Sequence, residues 1–210
     1  MKKISILFFV VVLSLSCDDN KRYITNLTVF QAELNSEFKD VTLSPLKNED
    51  RLKFNSLEFY NYDSLYLVQA KFRKLNNELV FKMKTTTERL PEYVKYGEIK
   101  FKINGNFYEL NLYQNQELIE KEGYENYLFL PFMDDTNGVS SYSGGRYIDL
   151  EIPNDSLITI DFNNAYNPYC VYNEKYSCPI VPRVNYLNIK INAGVKSFKK
   201  NDWLLFYSIW

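Results

Sequence analysis

Ile99-Lys100-Phe101-Lys102-Ile103-Asn104-Gly105-Asn106-Phe107-Tyr108-Glu109-Leu110 is the stretch that decides the fold class. Asn-Gly supplies two residues that accept positive φ, as a two-residue type I′ turn needs. Pairing outward from Ile103 and Asn106 sets Phe101 opposite Tyr108 and Ile99 opposite Leu110, with Lys100 opposite Glu109 on the other face. Apolar side chains meet apolar ones and opposite charges meet, so this register is self-consistent. The region is read as antiparallel β.

The same period of two extends on both sides. Tyr66, Val68, Ala70 and Phe72 alternate with polar or outward residues, and Leu79, Phe81 and Met83 follow a turn at Asn76-Asn77. These predict a second pair of antiparallel strands. Ile148, Leu150 and Ile152 alternate, as do Ile158, Ile160 and Phe162. Joining them as a hairpin with Leu150 opposite Ile158 makes Pro153-Asn154-Asp155 its loop and places Tyr147 opposite Asp161. Leu187, Ile189 and Ile191 predict one more strand. Near the N-terminus the spacing is helical instead. Phe30, Leu34, Phe38 and Val41 fall on one stripe, Thr28 and Gln31 match a capping box, and Asn48 is placed to cap a short second turn. The expected fold is mostly β: an antiparallel β-sandwich or barrel-like sheet with an N-terminal amphipathic helix. Residues 26–198 form a single domain in this reading, because no repeat and no Gly- or Pro-rich linker divides them.

Composition narrows the chemistry. The chain has 210 residues, 46% hydrophobic and 24% charged, with 18 Tyr, 15 Phe and no histidine. That is a globular composition. Lacking histidine, the protein has no Ser-His-Asp or Cys-His catalytic arrangement and lacks the commonest zinc ligand.

Met1-Lys2-Lys3, the apolar run Ile4 to Leu15 and Ser16-Cys17 follow the layout of an export signal. The apolar run is too short to span a bilayer, which takes about 20 residues. Residues 1–16 are expected to be a signal peptide that resembles a bacterial lipoprotein signal, with Cys17 the lipidated first residue and 17–25 a tether. Ser14 stands where a Leu is usual, so ordinary cleavage after Ser16 competes. The expected location is the bacterial cell envelope, membrane-anchored through the lipid. Removing Lys2 and Lys3 lowers the basic count from 25 to 23 against 26 acids, a net charge of −3. A strongly basic nucleic-acid binder is excluded. The aromatic tail 199–210 is too short to span a membrane as a helix and reads as an edge strand or a docked helix.

Three irregular stretches interrupt the strands: 131–146, 161–182 and 192–196. Alternation puts Arg146 on the face of Ile148 and Leu150, where a guanidinium must be paired, and Asp134, Asp135 and the nearer carbonyls are the candidate partners. It is either a clamp for an anionic or polar ligand or a structural pair holding its loop. Asp134 to Gly138 lacks the ligand spacing of a calcium loop, so a tight turn at Asn137-Gly138 is expected and no metal. Asp149, Glu151 and Asp161 share a polar face, at separations compatible with paired-carboxylate hydrolysis or with a solvated strand face. Asp161 as base with Asp134 or Glu151 as acid is the catalytic alternative. Cys170 and Cys178 are left as a pair in an exported chain; a structural disulfide is expected, with free buried thiols as the other reading. Tyr142, Tyr147, Tyr166, Tyr169, Tyr172 and Tyr176 crowd these loops, as ligand platforms or as loop core.

Pro131-Phe132, Asp134, Thr136, Gly138, Tyr142, Gly145-Arg146-Tyr147, Asp161-Phe162-Asn163, Ala165-Tyr166-Asn167-Pro168, Cys170, Cys178-Pro179, Pro182, Asn185 and Ala193-Gly194 form a recurring set. Over Ser44 to Lys196 the chain resembles the bacterial domain-of-unknown-function family sixteen-eighty-four. Ser56, Ser141 and Val195 depart from its usual Gly, Thr and acidic residue. The resemblance implies a coherent fold and a set of candidate residues, and no reaction. The function expected is a binding module with a polar and aromatic pocket for a small or glycan-like ligand, lined by Asp134, Arg146, Tyr147, Asp161, Asn163, Tyr166 and Asn185. A purely structural envelope protein is the third reading. No cofactor is expected.

Overall fold

The structure is a computed structural model and describes residues 27–199. Helix α1 (Val29–Lys39) starts on the expected capping box: the Gln31 N–H donates to Thr28 Oγ1, and the Thr28 N–H donates to the Gln31 side chain. Leu34 and Phe38 are buried, whereas Val41 lies past the helix end and is exposed. Helix α2 (Asn48–Arg51) is capped by Lys47; Asn48 sits inside it and accepts from Arg51 Nη2 at 2.9 Å.

Eight strands follow. They are β1 (Leu67–Lys74), β2 (Phe81–Lys82), β3 (Glu92–Ile103), β4 (Asn106–Asn115), β5 (Tyr127–Asp134), β6 (Arg146–Glu151), β7 (Leu157–Asp161) and β8 (Tyr186–Leu187). The sheet runs β6-β5-β4-β3-β1-β7, with β2 added to β3 and β8 lying parallel on β5; every other pairing is antiparallel. The Asn104-Gly105 hairpin has the expected register, with φ of 50° and 78° at its two turn residues. Lys100 Nζ and Glu109 Oε2 are 2.9 Å apart.

Three expected pairings are corrected. First, β1 does not pair with residues 79–84. Both its edges are taken, by β3 and by β7, which leaves only the two-residue β2 to attach to β3. Second, β6 and β7 are not a hairpin. Ile158 and Ile160 pair with Ala70 and Val68 of β1, while Leu150 and Ile148 pair with Leu128 and Leu130 of β5. Tyr147 therefore does not face Asp161. Third, the strand over 187–191 ends after Leu187. The N–H of Ile191 donates to Asp134 Oδ1 and its carbonyl accepts from Arg146, so side chains replace a neighbouring strand.

The β6–β7 arrangement explains the shape. These strands lie at opposite ends of the sheet path, yet the link from Glu151 to Leu157 can span at most roughly 20 Å. The sheet must therefore curl until its ends approach. The circuit closes just past β7, where Tyr166 and Tyr147 exchange backbone hydrogen bonds at 2.9 and 3.0 Å. This is a barrel-like sheet rather than a sandwich. Its inside is packed with Ala70, Ile99, Leu112, Leu130, Ile160 and their neighbours, all buried.

A bulge in β3 decides which residues lie outside. The register shifts between Lys95 and Gly97, so Tyr93 faces outward while Ile99, Phe101 and Ile103 face inward. Gly97 is required there: a Cβ would meet Phe72 Cε2 at 2.5 Å and the Arg73 carbonyl at 2.9 Å. The outward layer of Tyr93, Tyr113, Phe129 and Tyr147 forms its own buried cluster beside the one under α1.

Candidate functional site

Alternation along β5 and β6 sends Leu128, Leu130, Arg146 and Ile148 inward and Tyr127, Phe129, Tyr147 and Asp149 outward. Helix α1 and the loop 162–182 cover that outward face. Between them lies a cavity of about 340 Å³, at the lower end of the range for small-molecule pockets. Segment 178–180 is tied down beside it by paired backbone bonds to Lys84 and Thr86, at 2.8 and 2.9 Å.

Asp149 is the charged group of the sheet wall. Its Oδ1 accepts from Tyr127 Oη at 2.6 Å and from Tyr166 Oη at 2.7 Å. Its Oδ2 has no hydrogen-bond partner among the described residues. Asp149 is exposed, so its side chain keeps contact with solvent while lining the cavity. Desolvation pushes the carboxyl above its ordinary range, and the two tyrosine hydroxyls partly offset this. Burial, then the Asp149 charge, raises the Tyr127 and Tyr166 hydroxyls, so both are donors at neutral pH.

Rings supply most of the remaining wall. Phe129 and Tyr147 meet edge to face at 4.7 Å between centroids, and Tyr147 and Tyr166 at 5.9 Å. Tyr147 Oη donates to the Pro179 carbonyl, and Tyr169 Oη donates to Glu37 Oε1 at 2.6 Å. Glu37 and Asp149 are the charged residues of the lining; it includes no Lys or Arg. A second hollow of about 630 Å³ shares Tyr127 and Asp149 and adds Glu125 and Glu151, again without a basic residue.

The residues expected from sequence divide into two groups. Tyr147 and Tyr166 line the cavity, and Glu151 lines the adjoining hollow. Asp134, Arg146, Asp161, Asn163 and Asn185 lie elsewhere. Arg146 and Asp134 are fully enclosed, with Nη2 at 2.8 Å from Oδ2. Arg146 also donates to the carbonyls of Ile191 and Ala193, while Asp134 Oδ1 accepts the N–H groups of Thr136 and Ile191. The pair has no surface to offer a ligand; it pins 191–195 against the barrel end. Asn185 does similar work, bonding the carbonyls of Asn111 and Pro131 and the Asn111 N–H. Asp161 caps the turn at Asn163, and Asn163 holds the Asp63 backbone and the Gln31 side chain. Asp161 ends β7 and Asp134 is sealed inside β5, so this acid–base pairing does not flank one cavity.

The expected disulfide is corrected: Cys170 and Cys178 are free thiols. They are neighbours, with the Cys170 N–H at 3.1 Å from Cys178 Sγ. Donation from the Cys178 thiol lowers Cys170 to about 7 and raises Cys178. Cys17 and nearly all of the aromatic tail lie outside the described residues.

Tyr127, Phe129 and Glu37 carry no sequence signal of their own. Asp149 shows in the sequence only as one member of a polar face. The alternation Tyr127, Phe129 beside Leu128, Leu130 was the readable clue, since it marks a strand apolar on both sides and therefore covered.

A protein-family description, "Protein of unknown function (DUF1684)", matches residues 52–196. An uncharacterised protein of Haloarcula marismortui, solved by solution NMR, is 30% identical with a TM-score of 0.62; the match covers 79% of this chain and 89% of that one. No curated protein matches the chain.

Proposed function

Because the chain belongs to the DUF1684 family, whose description states no activity, we propose from the site itself that the domain is a binding module whose cavity at Asp149 takes one small ligand. A single observation carries this reading. Asp149, whose two hydrogen bonds from the described residues both fall on Oδ1, lines a pre-formed, aromatic-walled space that stays open to solvent. Convergent polar groups in an apolar cavity are the usual make-up of a ligand site. The test is an NMR screen of the purified protein with small glycans, anions, neutral aromatics and amines. Shifts should cluster at the amides of Tyr127, Tyr147, Asp149 and Tyr166. Shifts confined to other surfaces, or no shifts with any class, overturn the reading.

We also propose that the protein is exported and anchored by lipid on Cys17, on the strength of the basic, apolar and small-residue order of residues 1–17. Cys17→Ser protein should then leave the membrane fraction; retention there refutes the anchor.

A further inference from the structure

The lining suits one charge class. The hydroxyls of Tyr127, Tyr147, Tyr166 and Tyr169 are each spent on protein acceptors, so they are not available as donors to an anion. The cavity offers instead the Asp149 carboxylate, a second carboxylate at Glu37, ring faces and the Tyr176 hydroxyl, and Lys175 Nζ lies over the Tyr176 ring at 4.9 Å, a cation already seated on an aromatic face of the wall. The adjoining hollow adds Glu125 and Glu151, and no Lys or Arg lines either space. Aromatic faces attract a cation within about 6 Å of the ring centroid, and desolvation strengthens that attraction. A metal ion would want more oxygen ligands than this wall supplies, and no metal-holding cluster exists among the described residues.

We propose that the cavity selects a small, free organic ammonium ion, its charge held between Asp149 Oδ2 and the surrounding rings. This rests on the reading of the cavity as a ligand site. The size fits, since about 340 Å³ admits a compact molecule. The experiment titrates choline and its uncharged isostere, 3,3-dimethyl-1-butanol, into the purified protein at low salt, following amide shifts and heat. Choline should bind at least about tenfold more tightly than the isostere, with both shifting Asp149 and Tyr127. Equal affinities at the cavity overturn the cation preference and leave the ligand site standing. Shifts at the cavity from neither probe overturn the cation proposal, while the glycan, anion and aromatic arms of the wider screen decide the ligand site separately. Asp149→Asn keeps an acceptor for both tyrosines and should abolish most of the choline advantage without weakening the isostere. Should that variant fail to fold, Glu37→Gln and the wild-type ratio decide the matter: an unchanged ratio in Glu37→Gln limits the charge recognition to Asp149, and a wild-type ratio near one refutes it.

Discussion

Asp134→Asn is the perturbation that most directly tests how the barrel end is held. Arg146 and Asp134 have no exposed side-chain surface, and their contact is the sole ion pair of that guanidinium among the described residues. Taking one partner from a buried pair leaves an uncompensated charge and costs about 3–5 kcal/mol. For a domain of this size each kcal/mol moves the melting temperature by about 2–4 °C, so the expected fall is about 6–20 °C. A second variant sharpens the reasoning. Replacing a buried pair by apolar residues is often neutral or stabilising. Here the Asp134→Leu, Arg146→Met double variant also strips the Ile191 and Ala193 carbonyls of a donor and the Thr136 and Ile191 N–H groups of an acceptor. Each orphaned group costs about 1–3 kcal/mol, so the double variant should stay destabilised by at least about 4 kcal/mol. Urea unfolding followed by circular dichroism measures both. A midpoint for Asp134→Asn equal to wild type, or a double variant as stable as wild type, refutes the account of this pair as a backbone clamp.

Further outcomes are expected elsewhere. The raised Asp149 carboxyl binds its proton more tightly folded than unfolded, so its contribution to stability falls as pH rises past 3.8. Asp149→Asn should therefore melt above wild type at pH 7, with the gap closing under acid; a gap that does not change with pH contradicts this. Choline affinity should drop on acidification with a midpoint above 3.8, because the protonated carboxyl carries no charge; a flat profile in calorimetry counts against Asp149 as the charge partner. Gly97→Ala forces a Cβ against Phe72 and the Arg73 carbonyl, and should cost about 1–3 kcal/mol in denaturant melts, with no loss telling against the bulge being tightly packed. In denaturant both thiols should alkylate without prior reduction, and in the folded protein Cys170 should react with a rate rising through about pH 7; masses showing a persistent bond between them would contradict the free-thiol state.

What the sequence made legible was local. The Asn104-Gly105 hairpin follows from turn chemistry and pairing across a few residues, and the Thr28–Gln31 box from two side chains three apart. Partner choice for β6 and β7 was not legible. Their alternation is satisfied equally by each other or by β5 and β1, and only closure of the whole sheet chooses between these. The Asp134–Arg146 pairing was legible because a guanidinium on an inward face needs a nearby acid. The cavity was not, since it exists only where α1 and the 162–182 loop, far apart in the chain, lie over one outward patch of β5 and β6.

The seam at which the barrel closes is one pair of residues, Tyr147 and Tyr166, and both of their rings belong to the cavity wall. Parting that seam and dismantling the pocket are thus one event. A ligand that holds only the closed form adds to its stability in proportion to the logarithm of its concentration above Kd. The amides of Tyr147 and Tyr166 then act as a built-in occupancy gauge: their hydrogen exchange slows when the pocket fills, while amides deep in β3 and β4 keep their rates.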